Sequence, residues 1–169
     1  FHFWKAESHY RLEAYTESIA SYSNFQNAAL ATTMPEFEAA SYHVAYAHFK
    51  QWDFAASLKA FETYAGNASD TDVRLHDAYA RMGDSHYMLK AYKKAIVDYE
   101  RAIDLWGVDA DYSAYQIALA YQQMENYNKV VERLLNFSTD FSNSTYRDDA
   151  LYRMGEAYVK LKQPDEAFA

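Results

Sequence analysis

Histidines and carboxylates are the side chains of this sequence best equipped for metal or acid–base chemistry, and their spacing argues against both. The six histidines are His2, His9, His43, His48, His76 and His86. They include no H-E-x-x-H run and no pair four residues apart on one helix face, the arrangement that brings two imidazoles to one zinc ion. His9, His48 and His86 fall at equivalent places of an internal repeat. Packed helices lie about 10 Å apart, too far for shared coordination at roughly 2 Å per bond, so these three are expected to pack rather than to bind a metal.

Catalytic patterns are missing in the same way. The chain has no cysteine, hence no thiolate nucleophile, disulfide or cysteine-ligated metal. It has no G-x-S-x-G and no glycine-rich phosphate loop, and no carboxylate pair stands outside ordinary helix faces. Asp148 and Asp149 head a predicted helix, where negative charge meets the positive end of the helix dipole. The N-x-S/T triplets at Asn67, Asn136 and Asn143 carry weight only for a secreted eukaryotic chain. The expectation is a non-enzyme with no cofactor and no bound metal.

The elements that carry these residues follow from composition. Half of the 169 residues are hydrophobic, while Gly numbers four and Pro two, so helices with few interruptions and a sizeable core are expected. A formal charge of -8 with scattered Lys and Arg does not suit a nucleic-acid binder, which needs clustered cations to displace phosphate counterions. No run approaches the roughly 18 apolar residues of a membrane span, so the segment is not expected to insert directly into a membrane. The amino terminus lacks an initiating Met and a signal-peptide layout, and the chain stops in mid-helix pattern; it reads as an excerpt of a longer protein.

Self-similarity sets the organisation. Ser8 to Tyr22 (SHYRLEAYTESIASY) and Ser85 to Tyr99 (SHYMLKAYKKAIVDY) agree at eight of fifteen positions. One small residue marks each unit: Ala6, Ala45, Gly83, Ala118 and Gly155, at spacings of 39, 38, 35 and 37. Nine residues on come Tyr15, Phe54, Tyr92 and Tyr127, then Pro164. Three further on stand Ser18, Ser57, Ala95, Val130 and Ala167. Small residues let two helices approach while aromatics fill the remaining space, and stacking of hairpins completes a core that one hairpin cannot form alone.

These positions predict helix pairs at about 2–13 and 15–30, 36–50 and 53–65, 72–89 and 91–105, 111–124 and 127–138, then 145–161 and 164 onward. Turn formers and capping residues occupy the connectors around Pro35 and at 66–72, 107–111 and 142–145. The expected architecture is all-α, a single array of about five units spanning 1–169, divided near 2–35, 36–70, 71–109, 110–144 and 145–169.

The marker, an aromatic or His three or four residues on, an aromatic at the hairpin turn and a second small residue twelve after the first together resemble the tetratricopeptide repeat family across the chain. Ala150 to Ala169 (ALYRMGEAYVKLKQPDEAFA) is the closest match, with Met154, Gly155, Tyr158 and Ala167 in signature places. The spacings exceed the family's usual 34, and Lys5 stands where an apolar residue is normal. The run F-x-x-x-F-x-x-S-x-Y within Asn136 to Tyr158 resembles periplasmic tetratricopeptide proteins of the bacterial envelope, which implies a periplasmic or outer-membrane-associated setting, with the cytoplasm as the alternative.

The resemblance implies a right-handed superhelix of antiparallel hairpins, an α-solenoid, whose first helices line a concave groove. Candidate groove residues are Glu7, Tyr10, Arg11, Tyr42, Tyr46, Phe49, Lys50, Asp77, Asp84, Tyr87, Met88, Tyr112, Tyr115, Leu119, Gln122, Tyr152 and Glu156. They form a surface of aromatics edged with carboxylates, suited to an apolar peptide carrying Lys or Arg. The family's carboxylate clamp is not expected, because Phe3, Glu7, Tyr46, Ala80 and Asp84 occupy its places. The implied function is a scaffold that holds a protein or peptide. Two alternatives remain open: a spacer or self-association segment, including a homo-oligomer, and an array regulating a neighbouring catalytic or DNA-binding domain.

Overall fold

The computed structural model describes residues 1–105, 109–163 and 165. All regular structure there is helical: α1 (His2–Arg11), α2 (Tyr15–Gln26), α3 (Glu36–Lys50), α4 (Phe54–Asn67), α5 (Leu75–Met88), α6 (Tyr92–Asp104), α7 (Ala110–Gln123), α8 (Tyr127–Leu134), α9 (Phe137–Asp140) and α10 (Arg147–Lys160), with a short 3-10 turn at Ala31–Thr33. Consecutive helices pack as antiparallel hairpins, and each hairpin stacks on the next. None of the described helices is long and apolar enough to cross a membrane.

Tight turns set the hairpins. Glu13, Trp52, Lys90, Glu125 and Lys162 adopt left-handed backbone with φ of 59, 62, 60, 55 and 59°, each seven residues after its small marker. In every case the next amide donates back to the helix that has just ended: Ala14 to the His9 carbonyl, Asp53 to His48, Ala91 to His86, Asn126 to Tyr121 and Gln163 to Tyr158, at 2.8–3.1 Å. This is a Schellman closure built without glycine. In the first four hairpins the second helix then starts at once on an aromatic, as the spacing predicts. Asp53 and Asn126 cap theirs by accepting the amides of Ala56 at 3.1 Å and Lys129 at 3.3 Å.

The first four small markers lie at helix contacts. Ala6, Ala45 and Ala118 are buried. A Cβ built on Gly83 would lie 2.5 Å from the Tyr99 ring, so here the two helices meet with no room for a methyl group. Sixteen residues after each marker come Tyr22, Phe61, Tyr99 and Leu134, all buried, and the three rings are among the largest fully enclosed side chains. Ser18 and Ser57 donate across their hairpins to the carbonyls of Ala6 and Ala45, at 3.0 and 3.1 Å. A small polar residue is thereby held in the core with its hydroxyl satisfied.

Three helix boundaries differ from the sequence expectation. α2 ends at Gln26, not near 30, because Leu30 turns left-handed at φ 66° and Thr33 donates its hydroxyl to the Leu30 carbonyl at 2.7 Å. α5 begins at Leu75, not 72, because the Asp72 carboxylate is taken by the amide and guanidinium of Arg74; that partner lowers the Asp72 pKa to about 2. α8 stops at Leu134, and α9 swings Phe137 into the core beside Phe141, with ring centroids 5.1 Å apart. Pro164, Ala167 and the helix expected from 164 lie outside the described residues, as does the first part of the 107–111 connector.

Candidate binding groove

A concavity of about 660 Å³ opens to solvent between the first helices of neighbouring hairpins. α3 contributes Phe49 and Lys50, α5 contributes Arg81, Asp84, Tyr87 and Met88, and α7 contributes Tyr112, Gln116 and Leu119. Trp52 and Phe54, at the turn from α3 into α4, and Tyr99 of α6 complete the lining. Trp52 is 73% exposed and meets the Phe54 ring edge-on at 5.8 Å; Phe54 in turn meets Phe49 at 5.5 Å. An indole held at the mouth of an apolar hollow offers a large contact area with few rotamers left to lose.

Beside it runs a polar network that no single helix could form. The Tyr42 hydroxyl donates to Asp77 Oδ2 at 2.5 Å and the Tyr46 hydroxyl to Asp77 Oδ1 at 3.1 Å. Arg81 reaches both carboxylates, with Nε 3.2 Å from Asp77 and a second nitrogen on Asp84. Asp84 Oδ1 also accepts the hydroxyls of Tyr99 at 2.8 Å and Tyr112 at 2.6 Å. The Arg81 guanidinium lies over the Tyr112 ring at 5.1 Å and the Phe49 ring at 5.9 Å. Burial pushes the Asp84 carboxyl above the usual range, against the pull of Arg81 and the two hydroxyls. Burial and the neighbouring carboxylates also raise Tyr42, Tyr46, Tyr99 and Tyr112, so all four stay protonated donors.

The repeat phase explains the pairing. Tyr46 and Asp84 each follow their marker by one residue, and Asp77 and Tyr112 each precede theirs by six. Tyr46 with Asp77 and Asp84 with Tyr112 are thus one pair of places, with donor and acceptor exchanged. Tyr22 donates to Glu7 as Tyr99 does to Asp84, at the same separation of fifteen residues. His43 brings its Nε2 to 3.5 Å from Glu7 and stacks on Tyr22 with planes 8° apart. Burial lowers the His43 pKa, and Glu7 offsets part of that.

Among the sequence-derived candidates, Phe49, Asp84, Tyr87 and Tyr112 line the concavity, with Lys50, Met88 and Leu119. Tyr42, Tyr46 and Asp77 belong to the adjoining network. Glu7 and Tyr10 sit toward α1, where Tyr10 packs against Tyr15 and His43. Tyr115 is turned inward, 7% exposed, and stacks on Tyr146 at 5.2 Å. Tyr152 is exposed on α10, outside the lining. The carboxylates Glu7, Asp77, Asp84 and Glu156 all have partners within the molecule, Glu156 through Arg153 at 2.9 Å. Arg81, Gln116 and Trp52 were not among the candidates. Arg81 and Gln116 each stand two residues before a marker, a row shared with His43 and Arg153, and that periodicity was available in the sequence.

Among the described residues no three His, Asp or Glu side chains converge on a metal-sized site. The His86 to Asp98 contact, 2.5 Å between Nδ1 and Oδ2, ties α5 to α6 in the buried interior.

Comparison with known proteins bears on the fold. Family models described as tetratricopeptide repeat match residues 76–105 and 149–169. No curated protein sequence matches the chain. Two crystal structures of MamA superpose with TM-scores of 0.79 and 0.77 at 17% identity, covering 99% and 96% of this chain and 84% and 88% of theirs. A putative kinesin light chain of Podosopora anserina with tetratricopeptide-like repeats superposes at 0.73 with 14% identity, covering 98% of this chain and 88% of that one. At such identities the likeness establishes the fold. The chain carries tetratricopeptide-repeat sequence in two of its stretches on an all-helical fold of the tetratricopeptide solenoid type.

Proposed function

We propose that this chain is an interaction scaffold that holds a peptide or protein segment in its concave groove, within one continuous array spanning 1–169. Repeats of this type generally mediate protein–protein interaction. The observation that carries the groove reading is the open concavity on the α3, α5 and α7 side, apolar at Phe49, Trp52, Met88 and Leu119 and large enough to seat several side chains. A scaffold needs a rigid frame beneath such a surface, and the Arg81–Asp84–Tyr99–Tyr112 network supplies one across three helices.

The test is recovery of a partner from an extract of the source organism by the parent chain and by the Trp52→Ala, Met88→Ala double variant. Both side chains line the hollow and are exposed, so the variant is expected to keep its fold while losing the partner. Equal recovery by both would favour the spacer reading. Truncating Tyr46 or Tyr115 would be a poor control, since both are built into the packing. A bacterial-envelope setting rests on the Phe137 to Tyr146 junction, whose residues have packing roles of their own: Phe137 is buried and Tyr146 stacks on Tyr115.

A further inference from the structure

The chemistry of the partner can be narrowed, resting on the groove reading above. The sequence suggests an acidic groove that attracts basic peptides, yet no groove carboxylate is left over. Glu7 is held by Tyr22 and His43, Asp77 by two tyrosines and Arg81, Asp84 by Arg81 and two tyrosines, and Glu156 by Arg153. A carboxylate that already accepts two or three hydrogen bonds has little to offer an incoming ammonium, and displacing its donors would strand buried hydroxyls. Asp53, beside the mouth, accepts the Ala56 amide as a helix cap.

Within the lining the uncommitted charge is positive. Lys50 lines the concavity at the end of α3, is exposed, and has no carboxylate within 4 Å among the described residues. Arg11 takes the same place in the preceding unit, five residues after its marker, and is likewise exposed without an ionic partner among the described residues. Of the charged side chains that line the concavity, Arg81 and Asp84 pair with each other, which leaves Lys50 as the one without an ionic partner among the described residues. Although the whole chain is acidic, screening limits the reach of distant charges to about 8 Å at physiological salt, so a carboxylate entering the concavity meets Lys50 and not the net charge of the chain.

We propose that the concavity takes a peptide segment pairing an aliphatic or aromatic anchor with a neighbouring carboxylate, the anchor seated against Trp52, Met88 and Leu119 and the carboxylate on Lys50. The anchor supplies most of the affinity through burial, and the ion pair selects for sequence and orientation, as rim charges do.

Fluorescence anisotropy with three labelled synthetic peptides sharing a Leu-Phe core, flanked by Asp, Asn or Lys, tests this. The Asp-flanked peptide should bind tightest, with the preference shrinking as salt rises. Lys50→Ala should weaken it about 2- to 5-fold, the range of an exposed ion pair, and leave the Asn-flanked peptide unchanged. Lys50→Glu should reverse the order of the Asp- and Lys-flanked peptides. If the Lys- or Asn-flanked peptide binds as well as the Asp-flanked one, while Trp52→Ala abolishes binding of all three, the charge assignment is overturned and the groove reading stands. If none binds, or Trp52→Ala changes nothing, both fall.

Discussion

Single residues of one type carry different energetic consequences, and two glycines show it. Gly83 faces the buried Tyr99 ring, so Gly83→Ala should destabilise the chain by about 1–3 kcal/mol through overpacking, despite alanine's better helix propensity. Gly66, exposed in the last turn of α4, has no atom within 4 Å of its would-be Cβ, and Gly66→Ala should stabilise by up to about 1 kcal/mol. Urea denaturation of the two variants should give shifts of opposite sign. His43 gives a pH signature. Burial lowers its pKa, so the folded state prefers the neutral ring. The associated stability is present above the unfolded-state value of about 6.5 and lost as pH falls below it. The melting temperature should drop between about pH 7.5 and 5.5, and His43→Gln should flatten part of that drop.

At the scale of elements, the hairpins owe their geometry to left-handed turns that no glycine occupies. Glu125 is exposed with φ 55°, so Glu125→Gly should relieve strain and stabilise by about 0.5–1 kcal/mol, measured by thermal unfolding. Between hairpins, Asp84 binds Arg81 and receives hydroxyls from α6 and α7. Asp84→Ala leaves the mostly buried Arg81 with Asp77 alone and strands the Tyr99 and Tyr112 hydroxyls, and should cost about 3 kcal/mol, whereas Asp84→Asn keeps acceptors for the tyrosines and should cost less. The register of these elements was legible because small markers and turn aromatics recur at fixed offsets. The left-handed turns were not, since Glu13, Trp52, Lys90, Glu125 and Lys162 share no residue type that announces them. Nor was the break after Leu134, where burial of Phe137 overrides a continuous helical pattern.

At the scale of the molecule, stacking places the first helices of successive hairpins side by side and so creates a surface that no hairpin has alone. The resemblance to tetratricopeptide repeats pointed to the first helices of the hairpins, and of the residues it suggested Phe49, Asp84, Tyr87 and Tyr112 line the concavity. The pairing of Arg81 with Asp77 and Asp84 stood in the sequence as four- and three-residue spacings on one helix, but the tyrosine hydroxyls that occupy those carboxylates come from other helices and meet them only once the helices are packed. Trp52 escaped notice because a turn residue lines the mouth. The most direct test of the groove as the binding surface is site-specific photo-crosslinking from position 88, inside it, and from position 97, exposed on α6 outside the lining. The groove reading predicts a discrete partner adduct from position 88 and none from position 97; equal adducts from both, or adducts from position 97 alone, would contradict it.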